Sequence, residues 1–427
     1  MKRIAVSAAV LACLLMCSKP AEMVKQTTTR VANKVSDAID ANVPWAGPDN
    51  GAAQARDQQR YDLQWRQLAS FRAQQAAQQA AQLAAQLAAQ QPGTTPAATG
   101  QQIRIVQGGK ESFKGLDMNR INAAPMRVPI TGHDSGPSVL RVQVYLDRDH
   151  FSVGAIDGGW GKNSSIAVWQ WQRSHGIEPT GDVDEATFRS IADAAGNVEP
   201  LVKYQISADD LTGPFFTIPD SVYDQQNLSC MCYQTLREEL AEKFHSAEDF
   251  LAQLNHGVTF SDLKAGDTIV VPNVRPAVTA DPHDIAKIVI SIAGDSFDAF
   301  DANQRLIFHA PTTVGSKYDP SPDETLHIVK IVPMPHFHYD PTLYAEVPDD
   351  KPDAHLNPGP NSPVGIVWMQ LSKAHYGIHG TEDPESIGYV SSHGCVRLTN
   401  WDANEVSHRA SEGTIVAFVD TKRSAGD

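Results

Sequence analysis

Cysteine is scarce, with five residues in a chain of 427. Disulfides cannot frame a chain this long with so few, so where each cysteine sits matters more than the count. Long apolar runs are missing too. The apolar and small-residue stretch at 4–16 is about 13 residues, short of the ~20 that a spanning helix needs. Basic tracts are also lacking. The chain carries 35 Lys and Arg against 50 Asp and Glu, a net charge of −15, and residues 1–100 hold 10 basic and 6 acidic residues. The acidic excess therefore lies wholly beyond residue 100, which argues against a nucleic-acid partner. At 41% hydrophobic and 20% charged residues, the composition excludes wholesale disorder, a collagen-like repeat and a multi-span membrane protein. The length suggests about two or three domains.

What is present begins with an export signal. Met1-Lys2-Arg3 is a cationic start, and the apolar run that follows has the length of a signal-peptide core. Cys13 and Cys17 fall near its end, an arrangement that resembles the lipidation site of bacterial lipoproteins. Cys17 leaves the better core and Cys13 has the better preceding residue; a plain cleaved signal without lipid is the alternative. Export to the periplasm or cell envelope is expected, with a lipid anchor as an open option.

Residues 1–17 are thus the signal and 18–51 a polar linker. Residues 52–91 contain 13 Ala and 13 Gln and no Gly or Pro, which predicts one long helix. Tyr61, Trp65, Leu68 and Phe71 make an apolar stripe along it. It reads as a rigid spacer, a self-association helix or a low-complexity segment only partly helical. Pro92-Gly93 stops it, and 92–135 is a linker.

In 136–194, Val139, Val142 and Leu146 fall at helical spacing. Asn163 is the expected cap of a helix carrying Ile166, Val168, Trp169 and Trp171, and Asp184 the cap of a last short helix through Phe188 and Ile191. "IDGGWGKNSSIAVWQWQRSHGIEPTGDVDEATF" resembles a three-helix peptidoglycan-binding module. In 203–275, a strand near Tyr204–Ile206, a helical run 236–244, a Ser246/Asp249 capping box and a strand 268–272 resemble the βααβ LysM module, with 208–233 intervening where that module has only a few residues. The insert holds Cys230-Met231-Cys232, a pair that closes on itself, binds a metal or lies buried; the oxidising export compartment favours the disulfide, and the lack of a second ligand cluster argues against zinc.

From residue 284 the composition becomes β-rich, with alternation at Ile288, Ile290 and Ile292, then at Leu306 and Phe308. This predicts a mostly β domain with a helix near 401–406. Its one cysteine is Cys395, in Ser391-Ser392-His393-Gly394-Cys395-Val396-Arg397, with Tyr376-Gly377-Ile378-His379-Gly380-Thr381 upstream. A thiol needs a base or cation to become a thiolate near neutral pH, and an imidazole supplies both, so His379 and His393 are candidates. Gly394 allows a sharp turn that aims amide N–H groups at an oxyanion, and Arg397 suits a substrate carboxylate. These residues alone point to cysteine acyl transfer; a buried structural cysteine and half of a metal pair are the blander readings.

"IHGTEDPESIGYVSSHGCVRLTN" closely resembles the signature of the L,D-transpeptidases with a YkuD-type catalytic domain, over about 284–420. The runs 359–365 and 339–344 resemble further family segments, with Asp340 where Asn is commoner. The resemblance implies a β-sandwich-like domain, so the expected architecture is a long N-terminal helix, a small three-helix bundle, a βααβ module and this catalytic domain. It implies Cys395 as nucleophile, His379 as general base oriented by a carbonyl near Gly380, and His393 and Gly394 shaping the loop, with the amides of 394–395 as oxyanion hole. Arg397, Ser392, Gly380 and Tyr376 make up the substrate-binding set. No metal and no cofactor are implied. The reaction implied is release of D-Ala from a peptidoglycan tetrapeptide stem through a thioester, then a 3→3 cross-link. Water as acceptor makes an L,D-carboxypeptidase, a protein lysine makes an anchoring enzyme, and a non-catalytic wall-binding tether is the reading from another class. His336 and His338 are expected to line a cleft or lie exposed, and His375 to line the cleft with Tyr376.

Overall fold

Gly136 and Pro137 start the first long helix, because proline has no N–H to lose at the first helical position and its φ is already helical. The computed structural model describes residues 103–278, 281–315, 321–322, 324–341, 351–392 and 394–419. The expected signal, polar linker and Ala/Gln-rich helix, and His393, lie outside the described residues.

The N-terminal part contains β1 (Ile105–Gln107), α1 (Met118–Asn122), β2 (Met126–Val128), α2 (Pro137–Arg148), α3 (Lys162–Ser174) and α4 (Glu185–Ala194). Strands β1 and β2 pair in parallel. Val139, Leu140, Val142, Trp171, Phe188 and Ile191 share one core. Two buried polar side chains beside it are bonded: Arg141 donates to the carbonyls of Asn122 and Ala124, and the Gln143 amide donates to Asp157. Asp184 caps α4 as expected, accepting from Thr187 N–H at 2.7 Å. Asn163 does not cap α3. The cap is Gly161, and Asn163 sits in the first turn with its amide donating to Ile387 O at 2.9 Å.

Next come β3 (Leu201–Gln205), α5 (Val222–Gln225), α6 (Leu236–Lys243), α7 (Glu248–Leu254) and β4 (Thr268–Pro272), with β3 and β4 antiparallel. Thr235 caps α6, accepting from Glu238 N–H, while Glu238 accepts from Gln234 N–H at 2.6 Å. The box expected from Ser246 and Asp249 does not form. Ala247 precedes α7, and the Ser246 hydroxyl donates to Ile156 O at 3.3 Å. Cys230 and Cys232 form a disulfide.

The C-terminal part is mostly β: β5 (Lys287–Ser291), β6 (Ser296–Phe300), β7 (Leu306–Pro311), β8 (Thr325–Pro333), β9 (Phe337–Tyr339), β10 (Ala354–Leu356), β11 (Val367–Leu371), β12 (Gly377–His379), β13 (Val396–Arg397), α8 (Asn400–Arg409) and β14 (Ile415–Val419). Eight strands run in the order β13-β12-β11-β8-β14-β5-β6-β7, and β9 and β10 form a separate ribbon. Strand β8 pairs β14 through residues 325–327 and β11 through residues 328–333. It therefore joins two half-sheets, and Ile288, Phe297 and Phe308 of one half share a core with Met369, Ile378 and Val396 of the other and with Ala403 and Val406 of α8.

One buried cation ties the parts together. Arg275 follows β4 and contacts Asp147 of α2, Asp402 of α8 at 2.6 Å and Glu405 of α8 at 2.5 Å. A guanidinium can serve three carboxylates at once because its five N–H groups fork in a plane. Burial alone would raise the Asp147 and Glu405 carboxyls; the Arg275 charge holds both below the usual carboxylate range.

Candidate active site

The pairing of β12 with β13 builds the site. These strands run parallel, with His379 opposite Arg397 and Ile378 opposite Val396. Cys395 lies two residues before Arg397, and alternation puts residues two apart on one face of a strand. The register puts Arg397 and His379 on one side, and Cys395, just before β13, shares an apolar cluster with Trp368, the residue opposite His379 on β11. Backbone bonds fix it: Leu398 N–H donates to His379 O at 2.8 Å, and Arg397 N–H to Thr313 O at 2.9 Å.

Cys395 is a buried thiol whose Sγ lies 3.7 Å from His375 O. It belongs to an apolar cluster with Met231, Phe337, Leu356, Val364 and Trp368. The turn before it depends on Gly394, whose φ is +115° and whose missing Cβ would stand 2.8 Å from the Tyr376 ring. Tyr376 therefore packs on the turn. Ser392 is buried in the turn, where its hydroxyl donates to Cys395 O at 2.6 Å and accepts from Gly394 N–H at 3.2 Å. The Gly394 amide, expected at an oxyanion, serves the turn in this state. Ser321 donates to Gly394 O at 2.9 Å.

His379 is fully buried, with Nδ1 2.7 Å from Gly380 O. A carbonyl only accepts, so Nδ1 carries the proton and Nε2 presents a lone pair. Nε2 has no hydrogen-bond partner among the described residues. Burial, reinforced by the Arg397 charge and opposed by the Gly380 hydrogen bond, pushes the imidazole down to about 3. His379 is therefore neutral at neutral pH, the form that can take a proton from a thiol.

Several neighbours were not foreseen from sequence. Trp368, opposite His379 in the β11–β12 register, stacks on the imidazole with ring centroids 5.4 Å apart. Gly377 makes room for it, since a Cβ there would lie 2.5 Å from the indole. Asn400 opens α8 and donates to Pro360 O at 3.1 Å and to the carboxylate of Glu242 on α6 at 3.0 Å. Burial raises Glu242 to about 8. Glu382 follows the Gly380-Thr381 pair, and burial raises it to about 7 against the pull of Arg397. No spacing rule links these residues to Cys395; only the strand register and the docking of α6 do so. The loop between His379 and Cys395 rests on α3 through Lys162 Nζ donating to Gly388 O at 2.9 Å.

The histidines outside the site divide. His338 lies in the β9–β10 ribbon, bonded to Asp353 at 3.0 Å and stacked on His355 at 4.3 Å, whereas His336 precedes the strand. Among the described residues no group of three or more His, Cys, Asp or Glu is placed to hold a metal, and no helix is long and apolar enough to cross a membrane.

Residues 286–417 match the model of the L,D-transpeptidase catalytic domain, and residues 135–191 that of a putative peptidoglycan binding domain. The putative L,D-transpeptidase YkuD of Bacillus licheniformis is 31% identical over 181 residues, covering 42% of this chain and 92% of the relative. Its namesake in Bacillus subtilis is 30% identical over 179 residues, covering 42% and 90%. A crystal structure of the L,D-transpeptidase from Xylanimonas cellulosilytica aligns at 15% identity over 69% of this chain and 98% of that one, with a TM-score of 0.30. With nearly the whole of two relatives matched at this identity, the chain belongs to the L,D-transpeptidase family.

Proposed function

We propose that this enzyme forms 3→3 cross-links in peptidoglycan with Cys395 as nucleophile. The observation that supports the reading is a buried thiol in one cluster with Trp368, which stacks on His379, whose Nδ1 bonds the Gly380 carbonyl and leaves Nε2 as acceptor. The thiol proton passes to His379 Nε2 as Sγ adds to the carbonyl of the third residue of a tetrapeptide stem. The C–N bond to D-Ala then breaks, the imidazolium proton goes to the leaving amine, and a thioester remains. A side-chain amine of a second stem attacks the thioester, losing its proton to His379, and the cross-link forms as the thiol is restored. Arg397 holds the donor's terminal carboxylate, beside the substrate-facing Gly380 and Tyr376. His393 shapes the loop, and the amides of 394–395 receive the oxyanion once the Gly394 N–H turns from Ser392.

Residues 136–194 bind peptidoglycan, and the βααβ unit of 203–275 acts as a diverged LysM glycan-binding module. These roles suit an exported enzyme of the periplasm or cell envelope, anchored by lipid at Cys13 or Cys17, with self-association through 52–91 a further proposal. Water as acceptor would give an L,D-carboxypeptidase, and a protein lysine an anchoring enzyme. Mass spectrometry of products from disaccharide-tetrapeptide decides: D-Ala with 3→3 dimers is expected, tripeptide monomer alone would show carboxypeptidase action, and unchanged substrate would leave only a wall-binding tether.

A further inference from the structure

The segment between β3 and α6 reaches the active site. Ile218, Val222, Tyr223 and Leu228 pack against the apolar cluster that contains Cys395, and Met231, only 1% exposed, is part of that cluster. The catalytic domain receives this segment on a loop shaped for it. Met231 N–H donates to Pro358 O at 3.0 Å and Asn361 N–H donates to Met231 O at 2.9 Å. The Asn361 side chain donates to Cys232 O at 2.9 Å, and that of Asn357 to Leu228 O at 2.8 Å. A Cβ on Gly359 would stand 2.1 Å from Met231 O, so a side chain at 359 and the docked segment exclude one another. The Cys230–Cys232 disulfide closes the turn with Met231 at its apex.

We propose that residues 218–232 are a fixed wall of the nucleophile's pocket, lent by the unit that precedes the catalytic domain, and that Met231 sets the size of the apolar group admitted beside the scissile carbonyl of the acyl donor. This rests on Cys395 being the acyl-accepting thiol. Four hydrogen bonds spanning residues 228–232 hold the segment down, which suits a wall and not a lid. The Met231 side chain offers no strong donor or acceptor, so it selects by shape: one thioether fills the space that a bulkier donor group would need.

The test uses the full chain and reads Cys395 by peptide mass spectrometry, comparing alkylation by iodoacetamide with that by the bulkier N-benzyl iodoacetamide. Met231→Ala is expected to raise the bulky-to-small rate ratio about tenfold, the scale at which an apolar pocket discriminates. Gly359→Ala, which displaces the same carbonyl, is expected to raise it, and Met231→Phe to lower it, with thermal denaturation confirming that each variant folds. With tetrapeptide donors, Met231→Ala is expected to shift kcat/KM towards a D-Leu terminus over D-Ala. A bulky-to-small ratio equal to that of wild type in all three variants overturns the proposal. Alkylation does not require turnover, so an inactive wild type would defeat the transpeptidase reading and leave the wall to be judged on the ratio.

Discussion

At the scale of residues, the chemistry depends on keeping His379 neutral and aimed. Its neutral state follows from burial beside Arg397, and its direction from the Gly380 carbonyl. Replacing His379 by Asn is expected to lower kcat by about 10²–10⁴-fold, the range for loss of a general base, with the fold retained in circular dichroism. Trp368 acts through His379. Trp368→Leu removes the stacked face and is expected to cost roughly 10- to 100-fold in kcat with little change in KM, while Trp368→Phe restores most of it. Equal kcat in wild type and Trp368→Leu would contradict this positioning role. The residues proposed to carry the chemistry were singled out in sequence by type, a histidine followed by Ser-His-Gly-Cys. Trp368 was not, because one aromatic in an alternating strand looks like core until the register places it over an imidazole. The turn role of Ser392 was equally hidden: its hydroxyl bonds two backbone groups around Cys395, which no residue type announces.

At the scale of elements, periodicity and punctuation located most helices and strands, but two caps failed. Asn163 yielded the cap of α3 to Gly161 because its amide serves the loop at Ile387, and Ser246 left α7 to serve Ile156. Both side chains were recruited by distant parts of the chain, and local sequence carries no sign of that. The β12 strand shows how tightly elements constrain the site. Gly377→Ala would press a methyl against the Trp368 indole, so it is expected to lower kcat in the same manner as Trp368→Leu. Its thermal midpoint is expected to fall by a few degrees, since overpacking costs about 1–3 kcal/mol.

At the scale of the whole molecule, the units meet through buried charge. Arg275→Met strips the buried Asp147 and Asp402 of their guanidinium partner and removes one of the cations held by Glu405, which keeps Arg409, and is expected to cost about 3–5 kcal/mol in denaturant unfolding near neutral pH. Of the three carboxyls around Arg275, Asp147 and Glu405 respond to pH in the opposite direction to Glu242, whereas burial raises Asp402 as it raises Glu242. Asp147 and Glu405 are depressed on folding, so their contribution is full above the ordinary carboxylate range and is lost as pH falls through their folded values. Glu242 is raised from its ordinary 4.5 to about 8, so the folded state holds a proton that the unfolded state has released. Its effect is to make stability fall as pH rises from 4.5 towards 8, and Glu242→Gln is expected to remove that slope in unfolding experiments across the window. None of this network was visible from composition, which showed only that the region beyond residue 100 is acidic; pairing Arg275 with three carboxyls takes the folded chain.

The most direct test of the central claim is intact-protein mass spectrometry after brief mixing with a tetrapeptide donor lacking an acceptor amine. A mass increase equal to the tripeptide acyl group, mapped to Cys395 and matched by released D-Ala, is the predicted result, with neither seen in Cys395→Ala. Release of D-Ala at an equal rate by Cys395→Ala, or an acyl group mapped to any other residue, would contradict it.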